Sequence, residues 1–367
     1  MVRSVDASRA GALLTIDLGA IRDNYRLLAG MSRGACAAVM KADAYGLGME
    51  QVAPALALEG CRTFFTAHLD EGIRLRQLVP DDAVIYVLHG PPPGTARDCF
   101  QYDLRPVLND PGQVQEWRLL ARTLGRTLPA AIQLDTGMSR MGIATADLTT
   151  LTADRDWLAG IQPTLVMSHL ACADEPGHPL NESQRRRFEQ LRELFPRVPA
   201  SLANSSGVFL GPDYHYDLLR PGAALYGINP QPGHPNPLKQ AVSLHARVVQ
   251  VRSVCEGDIV GYGAHHVCAA ERRIATVAVG YADGWLRSLS ERGQAFIDGV
   301  GVPVVGRVSM DSMGLDVTGI APERVVPGAE IELMGASHTV DEVATLAGTI
   351  GYEILTRLGS RFHRRYV

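Results

Sequence analysis

The stretch AVMKADAYGLG, Ala38–Gly48, is an apolar run that stops on a lysine and then turns through glycines. Two readings fit it. Lys41 is either the first solvated residue after a buried strand, or an amine presented from the strand's end for chemistry. The pattern decides more about the fold than about the lysine, because it recurs. CAAVMK (36–41) is followed by TFFTAHL (63–69), AVIYVLHG (83–90), LRPVLND (104–110), AAIQLDTG (130–137), TLVMSHL (164–170), ASLANSSG (200–207) and LLRPGAALYG (218–227). These eight runs are apolar almost throughout rather than alternating, as strands buried on both faces are. Amphipathic stretches such as LNESQRRRFEQLRELF separate them, with Asn181 or Ser183 as the expected N-cap. Eight such units predict a (β/α)8 barrel of the α/β class.

Beyond the proline-rich NPQPGHPNPLKQ (229–240) the pattern changes. VSLHARVVQVRSV, RIATVAVGY, QAFIDGVGVPVVGRVSM and AEIELMG are valine-rich, punctuated by glycine and short of helical period, which predicts a mainly-β domain. The expected division is a barrel over 12–235 and a β domain over 236–367, with residues 1–11 joining the latter. TVDEVATLAGTIGYEILTRLG is expected to form two short helices broken near Gly348 or Gly351.

Composition excludes several classes. Hydrophobic residues make up 46% of the 367 and charged residues 20%, with a net charge of −4, so no basic field points to nucleic acid or an anionic membrane. No run approaches the length of a membrane helix, and the N-terminus lacks a signal peptide's apolar segment. The six cysteines are scattered without a CxxC pair, which fits reduced thiols in a cytoplasm and predicts neither disulfide nor metal. The adjacent His265 and His266 lack the companions of a metal site. GVGVPVVG opens no helix and is not a nucleotide loop.

The polar residues are concentrated where a barrel keeps its active site, at the C-terminal strand ends. The first run ends in Lys41, the fourth near Asn109, the fifth in Asp135 followed by Arg140, the sixth in His169, the seventh in Asn204-Ser205-Ser206 and the eighth in Arg220. A lone histidine is more often structural; a histidine within such a ring is a site candidate. Barrels commonly bind phosphate in the loops after strands seven and eight. Here those loops are ANSSG and RPGAA, whose hydroxyls and backbone N–H groups can cradle an anion. A phosphate cradle opposite a strand-end lysine suggests pyridoxal phosphate held as a Schiff base.

VMKADAYGLG, LDTGMSRMG, SHLACADE, ANSSG, RPGAALYG, VGYGAHH, GYADGW, GRVSMD and GYEILTRLGSR occur in that order. On these segments the chain resembles the alanine racemases, fold-type III pyridoxal-phosphate enzymes, over almost its full length. The resemblance implies a head-to-tail homodimer whose subunits share active sites, with L- and D-alanine interconverted by two bases. Lys41 would carry the cofactor and serve one face of the substrate, and Tyr262 of the partner subunit the other. The ordinary values of both groups, about 10.4 and about 10, are too high for efficient bases at neutral pH, so both must be lowered by their surroundings. Arg220 would face the pyridine nitrogen, and His169 would link Arg220 to the tyrosine. Tyr45, Ser205, Gly222 and Tyr352, with Asn204 and Ala223 beside them, would hold the phosphate. Arg140 would contact the cofactor phenolate and the substrate carboxylate, Met310 would bind that carboxylate through its N–H, and Asp311 and Tyr281 would line the entrance.

The chain departs from the family pattern in two places. Many relatives carry a carbamylated lysine where this sequence has Gln133, whose amide oxygen could still accept a hydrogen bond from Arg140 but without the negative charge, so Arg140 is expected to be held more weakly or by other partners. Ser139 stands where glycine is frequent. The rival readings are a serine or broad-specificity racemase with the same machinery, a decarboxylase of the ornithine or diaminopimelate type, and a non-catalytic cofactor carrier. The decarboxylase lacks support because its cysteine motif is missing. The carrier would match the barrel half alone. The product would serve peptidoglycan synthesis or alanine catabolism.

Overall fold

A computed structural model describes residues 5–367. The described chain divides into two compact units, one of residues 21–225 with 229–239, the other of residues 5–20, 226–228 and 240–367. Residues 12–20, placed with the barrel on sequence grounds, fall in the second unit. Their strand β1 (Ala12–Ile16) pairs antiparallel with a strand beginning at Val242 and parallel with the C-terminal strand.

The first unit is the barrel. Its strands are β2 (Ala35–Cys36) and β3 (Ala38–Val39), which are one strand interrupted at Ala37, then β4 (Thr63–Thr66), β5 (Val84–Val87), β6 (Arg105–Leu108), β7 (Leu128–Gln133), β8 (Ile161–Met167), β9 (Ala200–Ser201) and β10 (Leu218–Leu219). β3 to β9 form a parallel sheet in chain order. The ring closes because β10 pairs parallel with β2, while Asp217 N–H donates to Ala200 O (3.0 Å) and Arg220 N–H to Ala203 O (3.0 Å). Phe64, Phe65, Ile85, Val107 and Ile132 are wholly buried, as the unbroken apolar runs require.

The helices between strands start and stop on local chemistry. The helix Pro111–Leu124 begins with Asp110 accepting the Gln113 N–H and Pro111 in its first turn, and ends on Gly125 at φ +60°. The helix Pro179–Arg192 begins earlier than expected. Its N-cap is His178, whose Nδ1 accepts the Leu180 N–H, because Pro179 supplies a helical φ. Asn181 lies inside the first turn and is buried, donating to Glu175 O (3.0 Å).

The second unit is built on β11 (Val242–Val254), a long strand that pairs with three neighbours. With it stand the hairpin β12 (Ile259–Val260) and β13 (His266–Val267), and then β14 (Arg272–Val277), β15 (Gln294–Ile297), β16 (Val300–Val305), β17 (Met313–Asp316), β18 (Glu330–Met334) and β19 (His363–Tyr366). The order β14-β17-β16-β15-β18-β11 returns to β14, so six strands close on themselves, and β1 and β19 extend the sheet beyond β11. Asp298 and Gly299, both at positive φ, form the two-residue turn of the β15–β16 hairpin. The last helices, Val340–Ala347 and Gly351–Arg357, are parted by Gly348 at φ +71°. Among the described residues no helix is long and apolar enough to cross a membrane.

Candidate active site

Lys41 is parted from the end of β3 by Met40 alone, and the chain after it turns the wrong way for L-residues. Ala42, Asp43, Ala44 and Tyr45 all have φ between +53° and +57°. Together they make one left-handed helical turn, with Ala44 N–H bonded to Met40 O (2.9 Å) and Gly46 N–H to Ala42 O (2.7 Å). Left-handed geometry costs roughly 1–2 kcal/mol for each such residue, so surrounding structure has to hold the turn. Its effect is to bury Tyr45 while keeping the Lys41 amine close, with Nζ lying 5.9 Å from the centre of the tyrosine ring. Burial lowers the Lys41 amine from its ordinary value, the Arg140 cation lowers it further, and the Glu71 carboxylate opposes both. The expected lowering is therefore present, with desolvation as its main cause.

The loops after β9 and β10 meet Tyr45. The Ser205 hydroxyl oxygen accepts the N–H groups of Gly222 (3.0 Å) and Ala224 (3.2 Å), next to Ala223. A Cβ on Gly222 would lie 2.2 Å from the Tyr45 hydroxyl oxygen, so only glycine admits the ring. Two hydroxyls and a run of backbone amides thus converge, as an anion cradle requires. Asn204 closes the cradle's edge by accepting the Gly207 N–H (2.9 Å).

Arg220 is buried and carries the chemistry of the barrel mouth. It donates to Ser168 O (2.6 Å), Leu202 O (3.5 Å) and the Ser201 hydroxyl. Burial pushes its guanidinium down to about 9, which leaves it cationic at neutral pH. Among the described residues no carboxylate pairs with it. A buried cation held only by neutral acceptors is costly, and is expected where a ligand completes its surroundings. His169 is pushed well below its ordinary value by burial, and then by Arg220, Arg140 and Lys41, so it is neutral. Its ring lies 3.5 Å from the Asn204 amide nitrogen, and among the described residues no hydrogen bond joins it to Arg220. The expected Arg220–His169 link is not formed, because the guanidinium is turned to Ser168, Ser201 and Leu202.

Asp135 shapes the loop that carries Arg140, accepting the N–H groups of Gly137 (2.9 Å) and Ser139 (3.1 Å). Ser139 stands at φ +55°, which explains why glycine suits this position. Arg140 is exposed beside a cavity of about 670 Å³ that His89, Asn109 and Asp135 also line. Gln133 does not hold it: among the described residues no hydrogen bond joins the two, and a neutral amide has no charge to draw the guanidinium inward. The mouth therefore gathers three cations, Lys41, Arg140 and Arg220, around a neutral histidine, and that field favours anionic ligands.

Sequence reading missed the supports. Gln184, wholly buried on the helix Pro179–Arg192, donates to His169 O (2.9 Å) and Thr136 Oγ1 (3.2 Å) and accepts the Ala171 N–H (2.9 Å). It ties the loops after β7 and β8 together. A polar residue on the apolar face of a helix is the signal that could have found it.

The remaining candidates lie on the β unit. Tyr262, in the turn between β12 and β13, is 72% exposed, and Met310 and Tyr281 are exposed as well. The last two are held together, since Tyr281 N–H donates to Ser309 O (3.0 Å) and Ala282 N–H to Met310 O (3.0 Å). Arg361 bridges Asp283 (2.6 Å) and Asp311 (2.7 Å), fixing Asp311 to the same surface. Tyr352 stands in the helix Gly351–Arg357.

An eight-stranded barrel with a strand-end lysine and an anion cradle, followed by a β domain, defines a class of cofactor-dependent enzyme. The family model for the alanine racemase N-terminal domain matches residues 16–230, and that for the C-terminal domain residues 241–366. A protein of Mesorhizobium japonicum named "Alanine racemase, catabolic" is 53% identical over 99% of this chain and 95% of its own length. One of Rhodospirillum rubrum named alanine racemase is 50% identical over 98% of this chain and 96% of its own. The crystal structure of alanine racemase from Bartonella henselae, with covalently bound pyridoxal phosphate, superposes with a TM-score of 0.94 at 39% identity, over 98% of this chain and 100% of that one. The chain belongs to the alanine racemase family and is an amino-acid racemase.

Two outcomes follow from this geometry. Gly222→Ala should displace the Tyr45 ring and weaken pyridoxal phosphate binding by about tenfold or more, equivalent to about 1.4 kcal/mol, in absorbance titrations of the cofactor-free protein. Ser139→Gly should relieve a left-handed serine, stabilise the fold by about 0.5–1 kcal/mol and raise Tm by about 1 °C in calorimetry.

Proposed function

We propose that the chain interconverts L- and D-alanine as a homodimer, using pyridoxal phosphate and two bases, Lys41 of one subunit and Tyr262 of its partner. The observation that carries this reading is the placement of Lys41. Its amine is fixed by a rigid turn, lowered by burial and set beside the cradle of Tyr45, Ser205 and Gly222. These residues fit the cofactor: the cradle suits its phosphate, and the buried Arg220 suits an acceptor such as a ring nitrogen.

When bound, the cofactor delocalises the electron pair left at the substrate's α-carbon. The chain's own residues move the proton. Tyr262 Oη takes the α-proton of L-alanine from one face, and Lys41 Nζ returns a proton to the other; the reverse sequence converts D-alanine. A lowered amine is neutral, and so able to accept a proton, at a lower pH than an ordinary lysine. Arg140 orients the substrate carboxylate by charge. Arg220 neither accepts a proton nor readily gives one up, so it would hold a ring nitrogen by a hydrogen bond without protonating it. Met310 of the partner subunit binds the substrate carboxylate through its backbone N–H, and Tyr281 and Asp311 of the partner subunit line the entrance, where the tyrosine restricts side-chain size.

The exposure of Tyr262 supports the shared site, since an aromatic base on an isolated surface has no substrate to act on. The decarboxylase and carrier readings fall away with matches to both halves of the family. Relatives named catabolic, from Mesorhizobium japonicum and Agrobacterium fabrum, favour a role in alanine breakdown over D-alanine supply for peptidoglycan.

Chiral chromatography of L-alanine incubated with the loaded protein should show conversion to an equal mixture; a parallel L-serine reaction sets the breadth. Tyr262→Phe should abolish net racemisation yet still exchange the α-hydrogen of D-alanine with deuterated solvent, because Lys41 remains. Exchange from L-alanine at the same rate would remove the tyrosine from its role. Mixing Lys41→Ala with Tyr262→Phe protein should restore activity, since each mixed dimer regains one intact site. No recovery after subunit exchange would refute a site shared between subunits.

A further inference from the structure

The left-handed turn after Lys41 does not hold itself. The helix Leu69–Arg76, which follows β4, grips it at two points. Glu71 Oε1 accepts the N–H of Ala42, the first amide after Lys41, at 2.6 Å. Glu71 Oε2 accepts the N–H groups of Ala67 (2.9 Å) and His68 (3.1 Å). The His68 bond is ordinary capping of the helix's own N-terminus. The Ala42 bond is not: it dedicates one carboxylate oxygen to the lysine's turn and joins the ends of two neighbouring strands. One helical turn further on, Arg74 Nη2 donates to Asp43 Oδ1 (2.9 Å), and its Nε donates to Glu50 Oε1 (2.5 Å). Asp43 Oδ1 also accepts the Met49 N–H (2.9 Å), which ties down the turn's far side.

We propose that Glu71 is a positioning residue for Lys41, holding the strained turn that aims the amine and placing a negative charge beside that amine in a cationic mouth, with Arg74 bracing the same turn through Asp43. The proposal rests on the reading of Lys41 as the reacting amine. The groups facing that amine are Arg140 and the carboxylate itself, and the amine in turn acts on the imidazoles of His89 and His169. Glu71 raises the amine's affinity for a proton where burial and Arg140 lower it. A glutamine at 71 can keep one acceptor oxygen but loses the charge, and its NH2 would oppose a backbone N–H.

The test uses the full-length protein with Glu71→Gln and Glu71→Asp. In the loaded enzyme, Glu71→Gln is expected to lower kcat for alanine about tenfold with KM within about twofold, the mark of a misplaced base rather than lost binding. In the cofactor-free protein, the pH dependence of Lys41 modification by trinitrobenzenesulfonate, quantified on the Lys41 peptide by mass spectrometry, should move to lower pH in Glu71→Gln. Glu71→Asp, which keeps the charge but falls short of Ala42, should keep the wild-type modification profile and still lose kcat. Wild-type kcat and an unmoved Lys41 profile in Glu71→Gln would overturn the proposal. If Glu71→Gln does not fold, Arg74→Gln decides: a several-fold fall in kcat supports the brace, and unchanged kcat overturns it. Failure of the wild-type protein to racemise would instead overturn the racemase reading, so the two failures are distinguishable.

Discussion

A guanidinium buried without a carboxylate is the constraint on which the barrel mouth depends. Arg220 sits at the end of the last barrel strand and, among the described residues, is held only by two carbonyls and a hydroxyl. Neutral acceptors orient it but leave its charge uncompensated, a costly arrangement for a strand end to retain. The charge reaches outward to His169, which it helps to keep neutral, and adds to the field of Lys41 and Arg140. A mouth of this sign attracts phosphate and carboxylate, and it does so in the loops after β9 and β10 that already supply hydroxyls and amides.

Strain is the second organising feature. Four left-handed residues follow Lys41, and the turn they make sets the Tyr45 ring against Gly222. Such a conformation persists only where neighbours over-determine it. Here the neighbours are the glycine that admits the tyrosine ring and the Glu71 and Arg74 side chains that hold Ala42 and Asp43. Rigid support of this kind keeps a lysine amine in one place. Gln184 does the same for the loops that carry His169 and Thr136.

The β unit keeps its polar candidates on fixed loops. Arg361 locks Asp311 and Asp283, and Asp283 in turn accepts the Gly280 N–H at the start of the Tyr281 turn (3.0 Å). Tyr281, Met310 and Asp311 thereby form one surface, although 30 positions separate the first from the last.

Much of this was legible in the sequence. Eight unbroken apolar runs are a local property, written by the need of a parallel strand to bury both faces, and they located β2 to β10 without tertiary information. The strand-end residues from Lys41 to Arg220 followed, since a barrel directs every strand's C-terminal end to one mouth. The apolar run of β1 looks the same in either unit; its pairing with β11 and β19 comes from partners more than 200 residues away. The handedness of the turn after Lys41, the orientation of Arg220 away from His169 and the missing Gln133–Arg140 bond lay beyond the sequence. Each depends on which of several possible partners comes within hydrogen-bond reach once the loops are packed, and composition and spacing carry no distances. The sequence by itself determined which residues stand at the mouth; the tertiary structure decided which of them touch.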